Sequence, residues 1–432
     1  MTLPTSGDMY RRLALGFLFL AAAATGGVVG YLVGTSRAET SSATSTSPVL
    51  DGTRTIDAAA LAELAHSRAA DGARWLAHVA RDDGSFFYIY YPEDDTYERE
   101  NYNEVRHAGT TYSLFTAYAA TRTPEVLEAG EGAVRYIDDN SVAVDGRPGR
   151  AFLYQGQMKL GGQALALVAL LERRRVLNDT SQDPLIQDLA DFMVAMELPD
   201  EPGRYYQSYL AEPDELSLEP DSDYYPGEAL LAFTRLAQQF PEGIYLDSAT
   251  RAARYLIFER DGDIPGAGVV PREDHWLTMA LSELYRLGPR QEYRDVAYLQ
   301  AESMVANQHG TEGPPMRVGA SALRNPINYT STATKAEALV AAWALARFIG
   351  DSEAEERYQM AAQRSLQFQL RVQFTAENTQ LFPRPEAAIG AWGKDGLDPW
   401  VRIDFVQHNI SGLLGMWALT LNEDIPIAGP ID

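Results

Sequence analysis

The chain has no cysteine in 432 residues. That removes disulfides, thiolate metal sites and a cysteine nucleophile, and it leaves the compartment open. Basic residues are scarce: 36 lysines and arginines stand against 60 acidic residues, for a formal net charge of −24. Such a surface repels nucleic acid and anionic headgroups, so no nucleic-acid partner is expected. Histidine is rare too, with six copies, which makes the position of each one informative.

Long uncharged runs are also few, and the exception is at the N-terminus. Arg11-Arg12 precede LALGFLFLAAAATGGVVGYLV, Leu13 to Val33. The run is long enough to cross a bilayer core as a helix, and it can satisfy its own backbone amides. The arginines before it predict a cytoplasmic segment over 1–12, a transmembrane signal-anchor over 13–33, and a remainder that is periplasmic or extracellular. A cleavable signal peptide is the rival, with Ser36-Arg37-Ala38 as a loose cleavage motif. Residues 34–55 are rich in serine and threonine without apolar periodicity and read as a flexible tether. The folded domain is then expected over 56–432.

Within that domain, apolar stretches of helical spacing recur in pairs. The first members begin at His107, Gly161, Tyr225, Asp274 and Thr332; their partners begin at Pro124, Pro184, Tyr245, Tyr293 and Ser352. A last element from His408 has the stretch from Ala58 as its available partner, which would close a ring. First members are apolar nearly all round, like helices buried on both sides; second members are amphipathic. The interval between first members is roughly 50 to 75 residues, too long for tetratricopeptide or armadillo repeats. Aromatic segments precede several inner helices: Ser85–Pro92, Arg150–Gln155 and Gly203–Leu210. They read as short strands or extended loops.

Paired helices at this spacing, with aromatic loops before the inner members, resemble the six-hairpin (α/α) toroid superfamily. That group includes glycosidases, uronyl hydrolases, sugar epimerases and some polysaccharide lyases. The resemblance covers nearly all of the chain after the tether, and no motif fixes one family. It implies an all-α (α/α)6-type toroid with short β segments in its loops, preceded by the transmembrane helix. Lanthionine cyclases share the shape but need cysteine zinc ligands; terpene cyclases need an Asp-rich motif not found here.

In such a ring the inner-helix N-termini converge on one mouth, where unpaired N–H groups and the helix dipoles suit polar or anionic ligands. The starts are polar: Asn103-Glu104-Val105-Arg106-His107, Asp223 to Glu228, Glu273-Asp274-His275-Trp276, Tyr329 to Glu337, and Arg402 to Asn409. Three of the six histidines fall there. Asp274, His275, Asp404, His408 and His107 are therefore the catalytic candidates. Asn103, Glu104, Arg106, Tyr225, Glu228, Lys335, Glu337, Arg402 and Asn409 are the substrate-binding candidates. Hydrolysis would need one protonated and one ionised carboxyl, first Asp274 and Asp404. Epimerisation or elimination would need a base such as His107, His275 or His408, and Arg106, Lys335 and Arg402 could hold a uronate carboxylate. Each group also has a structural reading. Asp223, Glu273 and Thr332 suit helix capping, buried histidines can be internally satisfied, and Tyr88, Tyr90, Tyr91, Tyr205, Tyr206 and Trp392 suit core packing as well as sugar stacking. A three-histidine metal site lacks a local ligand motif, and neither metal nor cofactor is expected.

The function expected is a membrane-anchored, extracytoplasmic carbohydrate-active protein that hydrolyses, eliminates or epimerises an envelope or extracellular polysaccharide. The alternative is a non-catalytic toroid that binds or assembles such a polysaccharide.

Overall fold

The computed structural model describes residues 57–260 and 272–422. The expected cytoplasmic segment 1–12, membrane helix 13–33, tether 34–55 and the domain edges at 56 and 423–432 lie outside the described residues. Among the described residues no helix is long and apolar enough to cross a membrane.

The helices are α1 (Ala58–His78), α2 (Glu104–Thr121), α3 (Pro124–Asp139), α4 (Leu160–Leu177), α5 (Asp183–Val194), α6 (Tyr225–Gln239), α7 (Tyr245–Tyr255), α8 (His275–Leu287), α9 (Gln291–Ala306), α10 (Tyr329–Ile349), α11 (Ser352–Val372), the single turn α12 (Pro385–Ala388) and α13 (Ile403–Leu421). α2 packs on α4, α4 on α6, α6 on α8, α8 on α10, α10 on α13, and α13 back on α2. This cycle closes an inner ring. α3, α5, α7, α9 and α11 back their preceding inner helices, and α1 backs α13. The sixth hairpin is thus made from the two ends of the domain, as the repeat pattern implied.

Burial explains the division of labour. Every residue from Leu160 to Arg173 in α4, and from Ile403 to Met416 in α13, is buried. α11 instead buries Tyr358, Ala361, Ala362, Ser365 and Leu366 while Ser352, Glu353, Glu356 and Arg357 stay exposed. A helix that is apolar all round needs neighbours all round, and only the inner ring supplies them. Lower in the ring, Arg235 of α6 makes a two-pronged ion pair with Glu283 of α8 (Nη2–Oε1 2.7 Å) and reaches the Tyr112 hydroxyl of α2 at 3.4 Å. Charges this deep hold only because each has a partner.

The loops carry short antiparallel strands: β1 (Ile89–Tyr91), β2 (Thr96–Glu98), β3 (Ser141–Ala143), β4 (Arg150–Phe152), β5 (Gln157–Lys159), β6 (Ser208–Leu210), β7 (Glu215–Ser217) and β8 (Val401–Arg402). They form three small sheets, β2-β1-β8, β3-β4 and β5-β6-β7. β1, β4 and β6 fall in the three aromatic segments. β8 leads directly into α13, so pairing of Ile89 with Arg402 ties the last inner helix to the first aromatic loop.

Candidate active site

A cavity of about 480 Å³ opens where the inner helices begin. Asn103, Val105 and Arg106 come from the start of α2, Tyr224, Tyr225 and Glu228 from α6, and His275 and Trp276 from α8. Thr330, Ser331 and Thr334 come from α10, and Arg402, Asp404, Phe405, Gln407 and His408 from the start of α13. α4 contributes Leu165, and the loops before α10 and β8 add Arg324, Asn328, Lys394 and Trp400. The side chains capping helix starts here are Asn103, Asp274 and Asn328. Asp223, Glu273 and Thr332, the caps suggested by sequence, are engaged elsewhere: with Arg272, with Lys335, and with the Ser321 amide.

Asp404 is held in a guanidinium clamp. Arg402 donates from Nε to Oδ1 (2.5 Å) and from Nη2 to Oδ2 (2.9 Å), and Arg106 donates from Nε to Oδ2 (3.1 Å). Arg106 also donates to the Tyr88 hydroxyl at 2.9 Å. Burial would raise the Asp404 pKa, but the Arg402 hydrogen bonds and the charges of Arg402, Arg106 and His408 outweigh it and hold it below the ordinary value. Asp404 is therefore ionised and a poor proton donor.

Glu228 is the opposite case. It is buried and its side chain makes no hydrogen bond among the described residues; its Oε2 is enclosed. The space for that oxygen exists because residue 161 is glycine: a Cβ there would come within 2.1 Å of it. Burial, reinforced by the charge of Asp274 and only partly offset by Arg106, pushes the Glu228 carboxyl up to about 8. It is a neutral acid at neutral pH.

Three inner helices meet at His275, Glu337 and His408. His408 Nδ1 donates to Glu337 Oε2 at 2.7 Å, which leaves Nε2 as its other ring nitrogen. His275 Nε2 lies 3.8 Å from the same oxygen and has no hydrogen-bond partner among the described residues. The two rings are 5.2 Å apart and edge-on. Burial would lower His408, but the charge and hydrogen bond of Glu337, with Asp404 behind, hold its pKa above the ordinary value. Burial and the neighbouring His408 push His275 well below it. One imidazole thus keeps its proton and the other lacks one. Among the described residues this trio is also the group whose donor atoms, all within 4.8 Å, could gather round a cation. Its shortest contact is a hydrogen bond, with Glu337 Oε2 already engaged.

Several sequence expectations need correction. His107 does not reach the cavity. Its Nε2 meets the Ala133 carbonyl at 3.0 Å and its Nδ1 meets the Tyr102 hydroxyl at 2.7 Å. A carbonyl only accepts, so Nε2 carries the hydrogen and Nδ1 accepts from the tyrosine. Burial pushes the ring down to about 4, so it is a neutral structural histidine. Asp274 does not face Asp404 across the cavity; it accepts the Leu277 amide at 3.1 Å as the cap of α8 and is fully buried behind the wall. Glu104 pairs with Lys159 at 2.9 Å, and Lys335 pairs with Glu273 at 2.6 Å and donates to Ser321 at 2.9 Å. Neither lines the cavity, nor does Asn409, whose amide donates to the Phe405 carbonyl. Glu337 acts from behind His408. Tyr88, Tyr90, Tyr205 and Trp392 are buried packing residues. The site keeps Asn103, Arg106, Tyr225, Glu228, His275, Arg402, Asp404 and His408. Arg324, Lys394 and Trp400 were missed, although Trp400-Val401-Arg402 repeats the signal of an aromatic, extended stretch just before an inner helix.

No family model matches the chain, and no curated protein matches it. Solved structures do match in shape. Cellobiose 2-epimerase from Spirochaeta thermophila DSM 6192 superposes with a TM-score of 0.57 at 14% identity, covering 84% of this chain and 97% of the other. A D-mannose isomerase gives 0.60 at 13%, covering 86% and 99%. An unsaturated glucuronyl hydrolase specific for heparin gives 0.58 at 10%, covering 84% and 99%. At these identities the likeness establishes the (α/α)6 toroid and fixes no single family within it.

Proposed function

We propose that this chain is a carbohydrate-active enzyme that epimerises or isomerises a reducing sugar by proton transfer at the carbon next to the carbonyl. The carrying observation is the pair His275 and His408, one neutral and one held protonated by Glu337, 5.2 Å apart on the cavity wall. In the open-chain sugar, His275 takes the C2 proton and the C–H electrons form the C1=C2 bond of an enediolate. Its oxyanion is matched by the guanidinium groups of Arg106 and Arg402. His408 then returns a proton. At C2, the C1 carbonyl re-forms and the product is the epimer; at C1, with the O2 proton passing to O1, the carbonyl forms at C2 and the product is a ketose. Proton exchange with solvent restores the two histidines. Tyr224, Tyr225, Trp276, Trp400 and Phe405 give the cavity the aromatic faces on which sugar rings stack. Proteins of this shape include ones named as a sugar epimerase and a mannose isomerase, which fits the reading without carrying it.

The test is deuterium uptake at C2, followed by proton NMR in D2O with a panel of glucose, mannose, cellobiose, N-acetylglucosamine and glucuronate. Exchange with at least one sugar is expected, and its loss in His275→Asn and His408→Asn with little change in melting temperature. No exchange across the panel, or undiminished exchange in both variants, overturns the assignment. A second reading, glycosidic hydrolysis, is favoured by one observation: the cavity presents a protonated carboxyl, Glu228, and an ionised one, Asp404. Release of reducing ends without C2 exchange would select it. A toroid that binds polysaccharide and gives neither signal would be the scaffold expected as the alternative.

The uncharged run 13–33 after Arg11-Arg12 supports an enzyme anchored in a bilayer with its toroid on the periplasmic or extracellular side. Retention of the full chain in carbonate-washed membranes, with the toroid open to protease added outside, tests that placement. Recovery in the soluble fraction overturns it.

A further inference from the structure

We propose that the sugar taken by this cavity is a uronate, its carboxylate held at the rim by Arg324. The inference rests on the acid–base reading of the same site and adds the substrate class.

The chain as a whole carries −24, yet the cavity is lined by Arg106, Arg324, Lys394 and Arg402. The acidic side chains in the lining are Glu228, which is neutral, and Asp404. Asp404 is shared by two guanidinium groups, so that trio keeps one positive charge. Lys394 is neutralised by Asp398 at 2.8 Å and drops out. Arg324 has no hydrogen bond or ion pair with any described residue. The lining therefore has a positive surplus inside an acidic protein.

The donor atoms agree. Arg402 uses Nε and Nη2 on Asp404, and Arg106 uses Nε on Asp404 and Nη1 on Tyr88. Arg402 Nη1 and Arg106 Nη2 have no protein partner among the described residues. These are the groups that meet the enediolate at the histidine end. That leaves Arg324 as the lining cation without a hydrogen-bond or ion-pair partner among the described residues. It lines the same cavity from the loop before α10, where it is exposed and reachable. A hexuronate satisfies both ends at once, with its carbonyl carbon at the histidines and its carboxylate at the guanidinium fork.

Glucuronate, glucose and glucuronamide share their stereochemistry from C2 to C5 and differ only at C6, so C2 exchange measured on the three isolates the charge. Glucuronate is expected to exceed both neutral sugars in kcat/KM by about tenfold or more, and Arg324→Gln to shrink that preference about tenfold, through KM rather than kcat. Equal rates for the three sugars overturn the proposal, and so does a preference untouched in Arg324→Gln. Glucose 6-phosphate is run beside them; if it outpaces glucuronate, the ligand is a phosphate and the uronate assignment fails. Calorimetric titration separates this failure from failure of the acid–base reading. Glucuronate that binds more tightly than glucuronamide but never exchanges refutes the proton-transfer chemistry and retains the uronate site. Equal binding of the two refutes the uronate site.

Discussion

Replacing Glu228 with glutamine converts the buried cavity acid into a group of the same shape that cannot ionise. In the folded protein its pKa is pushed to about 8, against an ordinary 4.5. Between those values the native state holds a proton that the unfolded chain has released, so stability falls as pH rises through that window. Each pH unit is worth about 1.4 kcal/mol. The wild type should therefore lose roughly 3 kcal/mol between pH 4.5 and 7, and roughly 4 kcal/mol between pH 4.5 and pH 8 or above, relative to a chain without this group. Screening by water takes little from these figures, because the side chain is only 4% exposed. The assay is urea unfolding of both proteins at pH 5, 7 and 8.5. Subtracting the curves cancels every other titrating group, including Asp404, whose lowered pKa gives the opposite slope. Any fixed cost of the amide shifts the difference equally at all three pH values. The variant should gain on the wild type steadily from pH 5 to 8.5. A difference that stays flat would refute the claim that Glu228 folds as a neutral acid.

The remaining predictions concern the other polar groups. His107→Phe should cost about 1–3 kcal/mol, because the Ala133 carbonyl and Tyr102 hydroxyl lose a buried partner, while C2 exchange stays near wild type. Thermal unfolding and the NMR assay check both halves; a loss of exchange without a loss of stability would return His107 to the site. Glu337→Gln removes the charge that raises His408, so the alkaline limb of kcat/KM should move to lower pH, with activity at neutral pH falling more than activity near pH 6. An alkaline limb that does not move would show that Glu337 does not set His408's proton affinity. Asp404→Asn sets two guanidinium groups against each other without their shared carboxylate, and stability should fall by about 2 kcal/mol at neutral pH. That deficit should shrink as pH drops through the lowered pKa of Asp404, where the wild type loses its own ion pair.

How much of this was readable beforehand follows from what each feature depends on. The ring was readable because burial of a helix on all sides leaves a local trace: α4 has no charged residue before Glu172, whereas α11 carries charges along one face. Closure by the chain ends followed, since an inner helix at the C-terminus needed an outer partner and α1 was the unpaired amphipathic candidate. The mouth was readable because polar residues collect just before apolar runs. The clamp on Asp404 was only half readable. Arg402 is two residues away, but Arg106 comes from a helix 298 positions earlier, and nothing local reports that meeting.

Helical phase accounts for most of the misplaced residues. Sequence groups Lys335 with Glu337, but two residues on a helix are about 200° apart, so they cannot share a face. Glu337 points to the ring interior and meets His408, whereas Lys335 points sideways to Glu273, which Ser303 of α9 and Asn307 just after it also hold. The same rule separates the histidines. His275 is the first residue of α8 and looks into the mouth; His107 is the fourth of α2 and turns back toward α3; His408 is the sixth of α13 and comes round to the cavity again. The start of α13 was misjudged because its first residues, Ile403 to Gln407, mix polar with apolar, and the apolar run becomes plain only after His408. Those early residues are buried all the same, and Arg402 and Arg106 satisfy the charge of Asp404. A helix start whose polar groups are satisfied from other elements looks like a loop in sequence, so where this chain keeps its reactive groups it also conceals the helix that presents them.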